Sequence, residues 1–532
     1  MFRHFRRLAR HPQRAGAGYV TQSNSSSARI LNGPVHPLTP PDPPPPGIVL
    51  TPDTASPTPT HRHAPQQPPQ MTVKHHFEQK HLRITVTALG ISNLTIPYLW
   101  LRDACQEPHS VHPHTKQKLF KTTDIPLDIH PTKTTLINND AASALEPEIE
   151  LKWSHSIINQ SPPESSRFKL SFLRQFDQPS EWENRRHKAS HLTPTLWYTK
   201  PHRSQGKKTD PKNKIDELQD KGELFLDYTH FRHDTKIQKL ALERLNSLGL
   251  VFFDNLNVSP QASRDEQTHN QTELLRLIQS CLHLDIRRTF YGDLWDVVSR
   301  GEDAKNVANT NLALDYHMDL VHFENPPRFQ FLHFLKNDVD GGRSGFLDAY
   351  SVVAQLLLSQ PEAFRTLASV PVGFEYMNDN HHTYFRHATI ELKPQTSIDR
   401  LMRRPHELLD ALVAVNYSPP FQAPLTLPHH PYNPQHNPSN HPDTLHKLVK
   451  SLNAFVSLFD RHRYAFEIAL KPGQAVAFDN RRVLHSRTAF SPKPHHINPV
   501  NANTHDASVY RWLKGAYVDG DSVWDRIRVL NS

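Results

Sequence analysis

The chain has 532 residues, with 61 Lys and Arg against 53 Asp and Glu, a formal net charge of +8. The excess is confined to one end. Residues 1–40 hold six arginines (Arg3, Arg6, Arg7, Arg10, Arg14, Arg29) and no acid, which leaves 55 basic and 53 acidic groups elsewhere. A nucleic-acid-binding body is thereby excluded, because its basic footprint would have to lie outside the leader. Two cysteines, Cys105 and Cys281, exclude a disulfide framework and a four-cysteine zinc site.

In chain order, residues 1–33 are rich in Arg, Ser and Ala. Phe2, Phe5 and Leu8 fall on one helical face among arginines, as expected of a mitochondrial transit peptide directed to the matrix. Residues 34–71 are too Pro-rich to pack and are expected to form a disordered linker. HLRITVTA alternates at Leu82, Ile84 and Val86, a strand signal. Similar pieces predict a small β-rich N-terminal domain over 72–195. A basic insertion is expected at 196–222, and a second, larger domain at 223–532. Within the latter, Ile237, Leu240, Ala241, Leu245 and Leu248 follow helical spacing, with Asp234 or Thr235 as N-cap. LGLVFFDNL is expected as a buried strand and 272–284 as an amphipathic helix. Short strands dominate from Leu312 onward, interrupted by Pro- and His-rich insertions at 423–445 and 491–506. No apolar run approaches the roughly 18 residues of a membrane span. The pattern predicts a mainly β fold with flanking helices.

Three His-x-Asp pairs occur: His283 with Asp285, His317 with Asp319, and His441 with Asp443. The first falls in a helix pattern, where i and i+2 diverge, and the third in an insertion. His317 and Asp319 lie in a strand context, where i and i+2 share a face. A second imidazole from His485, on the return strand of FDNRRVLHSR, would complete a two-histidine, one-carboxylate face. Such a face holds Fe(II) with open positions for a co-substrate and dioxygen. Arg511 follows, a planar fork of donors suited to a carboxylate.

Taken with WLRDAC, LGLVFFDNL, FYGDLWDV, NVANTNLALDYHMD, PPRFQFLHFL, GGRS and RWLKGAYVDGD, these blocks make the chain similar to a family of 2-oxoglutarate-dependent dioxygenases. The family is that of γ-butyrobetaine dioxygenase and trimethyllysine dioxygenase, in the taurine-dioxygenase-like superfamily. The resemblance spans roughly 75–195 and 223–531. It implies a double-stranded β-helix (jelly-roll) catalytic domain behind a small β-rich one. It also implies His317, Asp319 and His485 as catalytic iron ligands, and Arg511, Leu332, Ser344 and Asn306 around 2-oxoglutarate. Tyr291, Trp295 and Tyr517 would cage a trimethylammonium group, which has no N–H to donate and is recognised by aromatic faces. The implied cofactors are Fe(II), 2-oxoglutarate and ascorbate as reductant, and the implied assembly is a homodimer.

Two departures stand out. Asn309 occupies a position where the family carries a further cage tyrosine. The family's N-terminal zinc motif of three cysteines and a histidine is reduced here to Cys105, with Glu107 and Ser110 in the other cysteine positions. His109, His112, His114 and His155 are the nearby substitutes. Two ligands of four grip Zn²⁺ poorly, so a zinc-free domain is expected. The implied reaction is hydroxylation of γ-butyrobetaine to L-carnitine. The alternatives are trimethyllysine or another small zwitterion as substrate, or a non-catalytic scaffold derived from the fold.

Overall fold

Alternation along HLRITV does produce a strand. In the computed structural model β1 (Met71–His76), β2 (His81–Val86) and β3 (Ile91–Pro97) form an antiparallel sheet in that order. Leu82, Ile84, Leu94 and Ile96 are buried on its inner face. A second antiparallel sheet contains β4 (Pro131–Ile137), β5 (Glu148–Trp153) and β6 (Ser165–Lys169). Ile149, Leu151, Trp153 and Phe168 join the first sheet's residues in one apolar cluster.

The structure describes residues 71–86, 91–138, 145–157, 165–177, 194–198, 213–258, 272–299, 307–425, 441–459, 463–493 and 509–531. The expected transit peptide, the linker up to residue 70 and Asn306 lie outside them.

The ends of the expected 196–222 insertion belong to the core. Trp197 is wholly buried and Ile215 nearly so, in one cluster with residues of both main sheets. The helix Lys214–Asp220 is capped by Asn213, whose side chain accepts from Ile215 N. The charged run between these two apolar residues had concealed them. Likewise, the segment expected as an insertion to residue 445 becomes helical at His441.

The region from Phe225 onward carries two larger sheets. One contains β7 (Phe225–Asp227), β8 (Leu250–Asp254), β19 (Ala475–Asp479), β11 (Phe329–Asn337), β22 (Arg511–Val518) and β9 (Trp295–Val298), in that spatial order. The other contains β10 (Leu314–His317), β20 (Val483–Arg487), β13 (Ser344–Asp348) and β18 (Ala465–Ile468). Three short pairs complete the strands among the described residues: β12 (Val339–Gly341) with β21 (Phe490–Pro492), β14 (Pro371–Asn378) with β15 (His381–Ala388), and β16 (Ile390–Leu392) with β17 (Leu412–Val415). Phe252, Phe334, Phe346, Phe466, Val476 and Phe478 join the two large sheets through one apolar cluster.

The six-stranded sheet is covered on its other face by helices. Val251, Phe253, Phe329, Phe331, Ala477 and Val518 cluster there with Ala241, Leu245, Leu277 and Ile527. With both faces apolar, LVFFD shows no alternation. The helix Thr235–Ser247 starts where expected, with the Asp234 carboxylate accepting from Lys236 N at 2.7 Å. Its buried stripe is rotated from the expected one: Leu240 is exposed, while Gln238 and Leu242 are buried. The amide of Gln238 is satisfied by Phe231 O at 3.1 Å. The helix expected over 272–284 is a short α-turn, Glu273–Leu275, that widens into a π-helix at Arg276–Cys281. It ends before His283, whose φ is +55°.

Candidate active site

β10 and β20 pair antiparallel, with His317 opposite His485. Their rings lie 4.2 Å apart, centroid to centroid. Asp319 reaches the same point by a route the strand pattern did not foresee. β10 ends at His317, and Asp319 begins a turn in which Leu320 adopts a left-handed φ of +55°. Convergence therefore comes from the turn rather than from strand alternation. Asn480 holds that turn. Its Oδ1 accepts from Asp319 N at 2.8 Å, and its Nδ2 donates to Asp319 O at 3.0 Å and Pro327 O at 3.2 Å.

Asp319 Oδ1 is 3.7 Å from His317 Nε2 and 3.9 Å from His485 Nε2. One ligand atom from each of the three residues falls within 4.8 Å of the others. His317 Nδ1 lies 2.7 Å from Asp315 O. A carbonyl can only accept, so the proton sits on Nδ1 and Nε2 presents its lone pair inward. Burial, reinforced by the neighbouring His317, pushes His485 down to about 3, so it is neutral near pH 7. Burial would raise Asp319, but the adjacent imidazoles and hydrogen bonds from Tyr517 and Gln330 outweigh it and hold the carboxyl below its usual range. Two imidazoles and one carboxylate form a donor set that fits a ferrous ion on one face.

The triad lines a cavity of about 360 Å³, within the small-ligand range. Leu332, Ser344, Arg511, Tyr291, Trp295, Tyr517 and Asn309 line it as well. Arg511 opens β22 and is 4% exposed. Its Nε is buried without a hydrogen-bond partner, and among the described residues no carboxylate pairs with it. Burial, with Arg487 nearby, lowers it to about 9, so it stays cationic at neutral pH. A buried cation without a counter-ion fits the far carboxylate of 2-oxoglutarate. Arg487 also lines the cavity, but its guanidinium is engaged. It donates to Ala308 O, Thr310 O and Leu312 O at 2.6–2.8 Å.

The expected cage residues come together with a difference. Trp295 stacks on Tyr517, centroids 5.1 Å apart at 30°, and the Tyr517 hydroxyl donates to Asp319 Oδ2 at 3.0 Å. Tyr291 packs on Phe290 at 4.3 Å. Asn309, at the departing position, uses its Oδ1 to accept from Val298 N at 3.3 Å. Gln330 and Asn480 escaped the sequence reading. Gln330 did carry a signal: it is the polar residue two before Leu332 on β11, and so shares its face.

Cys105 is buried, its Sγ 3.9 Å from His109 Nε2. Ser110 accepts from the buried Arg102 guanidinium at 3.0 Å, which also lies over the Phe120 ring. A fixed cation thus contacts Ser110, one of the positions where the resemblance led a cysteine to be expected.

The family model for taurine catabolism dioxygenases (TauD, TfdA family) matches residues 216–500, which contain His317, Asp319 and His485. The chain belongs to this family. It is a 2-oxoglutarate-dependent dioxygenase. The dioxygenase is 34% identical to Dioxygenase str8 of Strobilurus tenacellus over 82% of this chain and 85% of that protein. It is 32% identical to the γ-butyrobetaine dioxygenase of Pseudomonas sp. (strain AK-1), over 46% of this chain and 53% of that one. It is 24% identical to human mitochondrial trimethyllysine dioxygenase, over 86% and 85%. Among solved structures it is similar to asparagine oxygenase, with 16% identity and a TM-score of 0.38, over 54% of this chain and 79% of that chain.

Proposed function

We propose that the dioxygenase hydroxylates a compact trimethylammonium substrate, with γ-butyrobetaine, giving L-carnitine, the leading candidate. The observation that carries this reading is that Tyr291, Trp295 and Tyr517 line the same cavity as His317, Asp319 and His485. Aromatic faces attract a quaternary ammonium that no hydrogen bond can hold, by about 0.5–2 kcal/mol per ring. The similarity to γ-butyrobetaine dioxygenases over about half their length points the same way.

His317, Asp319 and His485 would hold Fe(II). Arg511 would hold the far carboxylate of 2-oxoglutarate beside Leu332 and Ser344. Bound iron would let dioxygen oxidise 2-oxoglutarate to succinate and CO₂, one oxygen atom entering succinate and the other an unactivated C–H bond of the substrate. The chain's own part is positional. The rings fix the ammonium, so the target carbon is selected by distance. The apolar walls formed by Leu314, Leu332 and Leu513 exclude water from the reacting centre.

We assign the two facing sheets to a double-stranded β-helix behind a separate N-terminal domain. The same reading places the protein in the mitochondrial matrix through residues 1–33, with ascorbate as reductant and a homodimeric assembly.

Asn309 favours a second substrate. An amide bound to Val298 contributes no ring, which leaves the enclosure open on that side and suits a different small zwitterion. Succinate formation with Fe(II), 2-oxoglutarate and ascorbate separates the two, with γ-butyrobetaine and trimethyllysine assayed separately. Turnover with γ-butyrobetaine alone is expected. Turnover with trimethyllysine alone would move the substrate to that branch, and succinate dependent on neither would transfer the assignment to the second reading.

A further inference from the structure

The metal carboxylate has two oxygens in unlike surroundings. Oδ1 faces both imidazoles. Oδ2 is 2.8 Å from Gln330 Nε2 and 3.0 Å from the Tyr517 hydroxyl. An ionised carboxylate can only accept, so both partners must donate. The Gln330 amide is oriented accordingly, with its Oε1 buried and unpartnered. Gln330 is 1% and Tyr517 3% exposed, so water does not compete for these donors. Both residues sit on adjacent strands of one sheet, β11 and β22, directly opposite each other in the register. The carboxylate is thus gripped from the sheet that does not carry the histidines. Its backbone is fixed separately by Asn480.

We propose that Tyr517 and Gln330 are positioning residues for the metal: together they occupy Asp319 Oδ2 and leave Oδ1 as the one oxygen offered to the ion. A carboxylate free to rotate would offer both oxygens and take up a position that co-substrate or dioxygen needs. Two donors on one oxygen prevent that rotation and lower the charge density there. Tyr517 then has two functions in one side chain. Its ring stacks on Trp295 in the cavity wall, and its hydroxyl holds the metal carboxylate. The inference rests on the metal triad of the proposed function and not on its substrate.

Two variants separate these functions. Tyr517→Phe keeps the ring and removes one oxygen; Gln330→Met keeps the length and removes the donor. Mn(II) titration of the full chain, without substrate, reads the metal affinity. The visible charge-transfer band of the Fe(II) and 2-oxoglutarate complex reads the coordination directly. Each variant is expected to weaken Mn(II) about 10-fold and to shift the band, with the double variant weaker than either. Wild-type affinity and an unshifted band in both single variants would overturn the proposal. Failure of the wild type to bind Mn(II) would overturn the metal triad itself.

Discussion

Arg511 and Arg487 are both buried guanidiniums at one cavity, and their partners decide their roles. Three backbone carbonyls occupy Arg487, which makes it a clamp on the segment from Ala308 to Leu312. Arg511 has a buried, unpartnered Nε and is left for a ligand. Arg511→Ala should therefore raise the 2-oxoglutarate concentration needed for half-saturation. Loss of a charge-assisted contact costs about 2 kcal/mol, or roughly 30-fold. Steady-state succinate formation against 2-oxoglutarate checks it; an unchanged requirement would hand the co-substrate to Arg487. A second position concerns the cavity wall. A Cβ at residue 515 would collide with the Trp295 indole, so the indole lies flat on β22 only because Gly515 has no side chain. Gly515→Ala should push the indole off Tyr517 and raise KM for the substrate severalfold. The ferrous 2-oxoglutarate spectrum should be retained, because neither residue touches the metal ligands' imidazoles.

Among the elements, the turn between β19 and β20 does the most structural work per residue. Asp479 takes the Arg328 guanidinium at 2.6 Å, and Asn480 clamps the backbone of Asp319. Arg481 reaches Glu391 at 2.7 Å. Arg482, 1% exposed, pairs with Asp348 through Nε at 3.0 Å and Nη2 at 3.2 Å. It also donates to Thr195 O and Ser247 O, at 2.6 Å each. The run FDNRR thus ties Thr195, Ser247, Asp319, Arg328, Asp348 and Glu391 to the turn that leads into the strand carrying His485. Asp348 also accepts from Trp197 N and Ser351 Oγ, so removing Arg482 would leave a buried carboxylate without its cation. Arg482→Met should cost about 3–5 kcal/mol, visible as a lower urea midpoint. A loss below about 1 kcal/mol would mean that Asp348 is adequately held by its neutral donors. Between the two three-stranded sheets in sequence, Arg102 plays a smaller version of this part, donating to Ser110 and lying over Phe120.

For the molecule as a whole, buried neutral histidines set the acid limit of stability. His333, 1% exposed on β11, is lowered to about 4 by burial and the neighbouring Lys514, and its Nε2 has no partner. His322 is likewise lowered to about 4 by burial. Unfolding returns both to near 6.5, so between 6.5 and 4 the unfolded chain binds more protons than the folded one. Their contribution is complete above about pH 6.5 and is lost as pH falls toward 4, at up to about 1.4 kcal/mol per pH unit for each. Urea unfolding between pH 7 and 5 should show stability falling with acid, and His333→Leu should flatten that slope. An equal slope in the variant would remove His333 from the acid response.

His317, Asp319, His485 and Arg511 were legible as a candidate set because imidazole, carboxylate and guanidinium are recognised by residue type, and the structure brings all four to one cavity. Strand alternation at Leu82 and Ile84, the Asp234 cap and the apolar run at Leu250–Asp254 were legible because each depends on neighbours within a few residues. The route by which Asp319 joins the histidines was not. It depends on Asn480, 161 residues away, and no local pattern encodes that pairing. Trp197 and Ile215 were hidden by the polar run between them, since burial is decided by what packs from elsewhere. Nor could spacing reveal that Gln330 and Tyr517 share one carboxylate oxygen. That contact exists because β11 and β22 are neighbours in the sheet, and strand order is settled by the cooperative packing of the whole domain rather than by any segment of it.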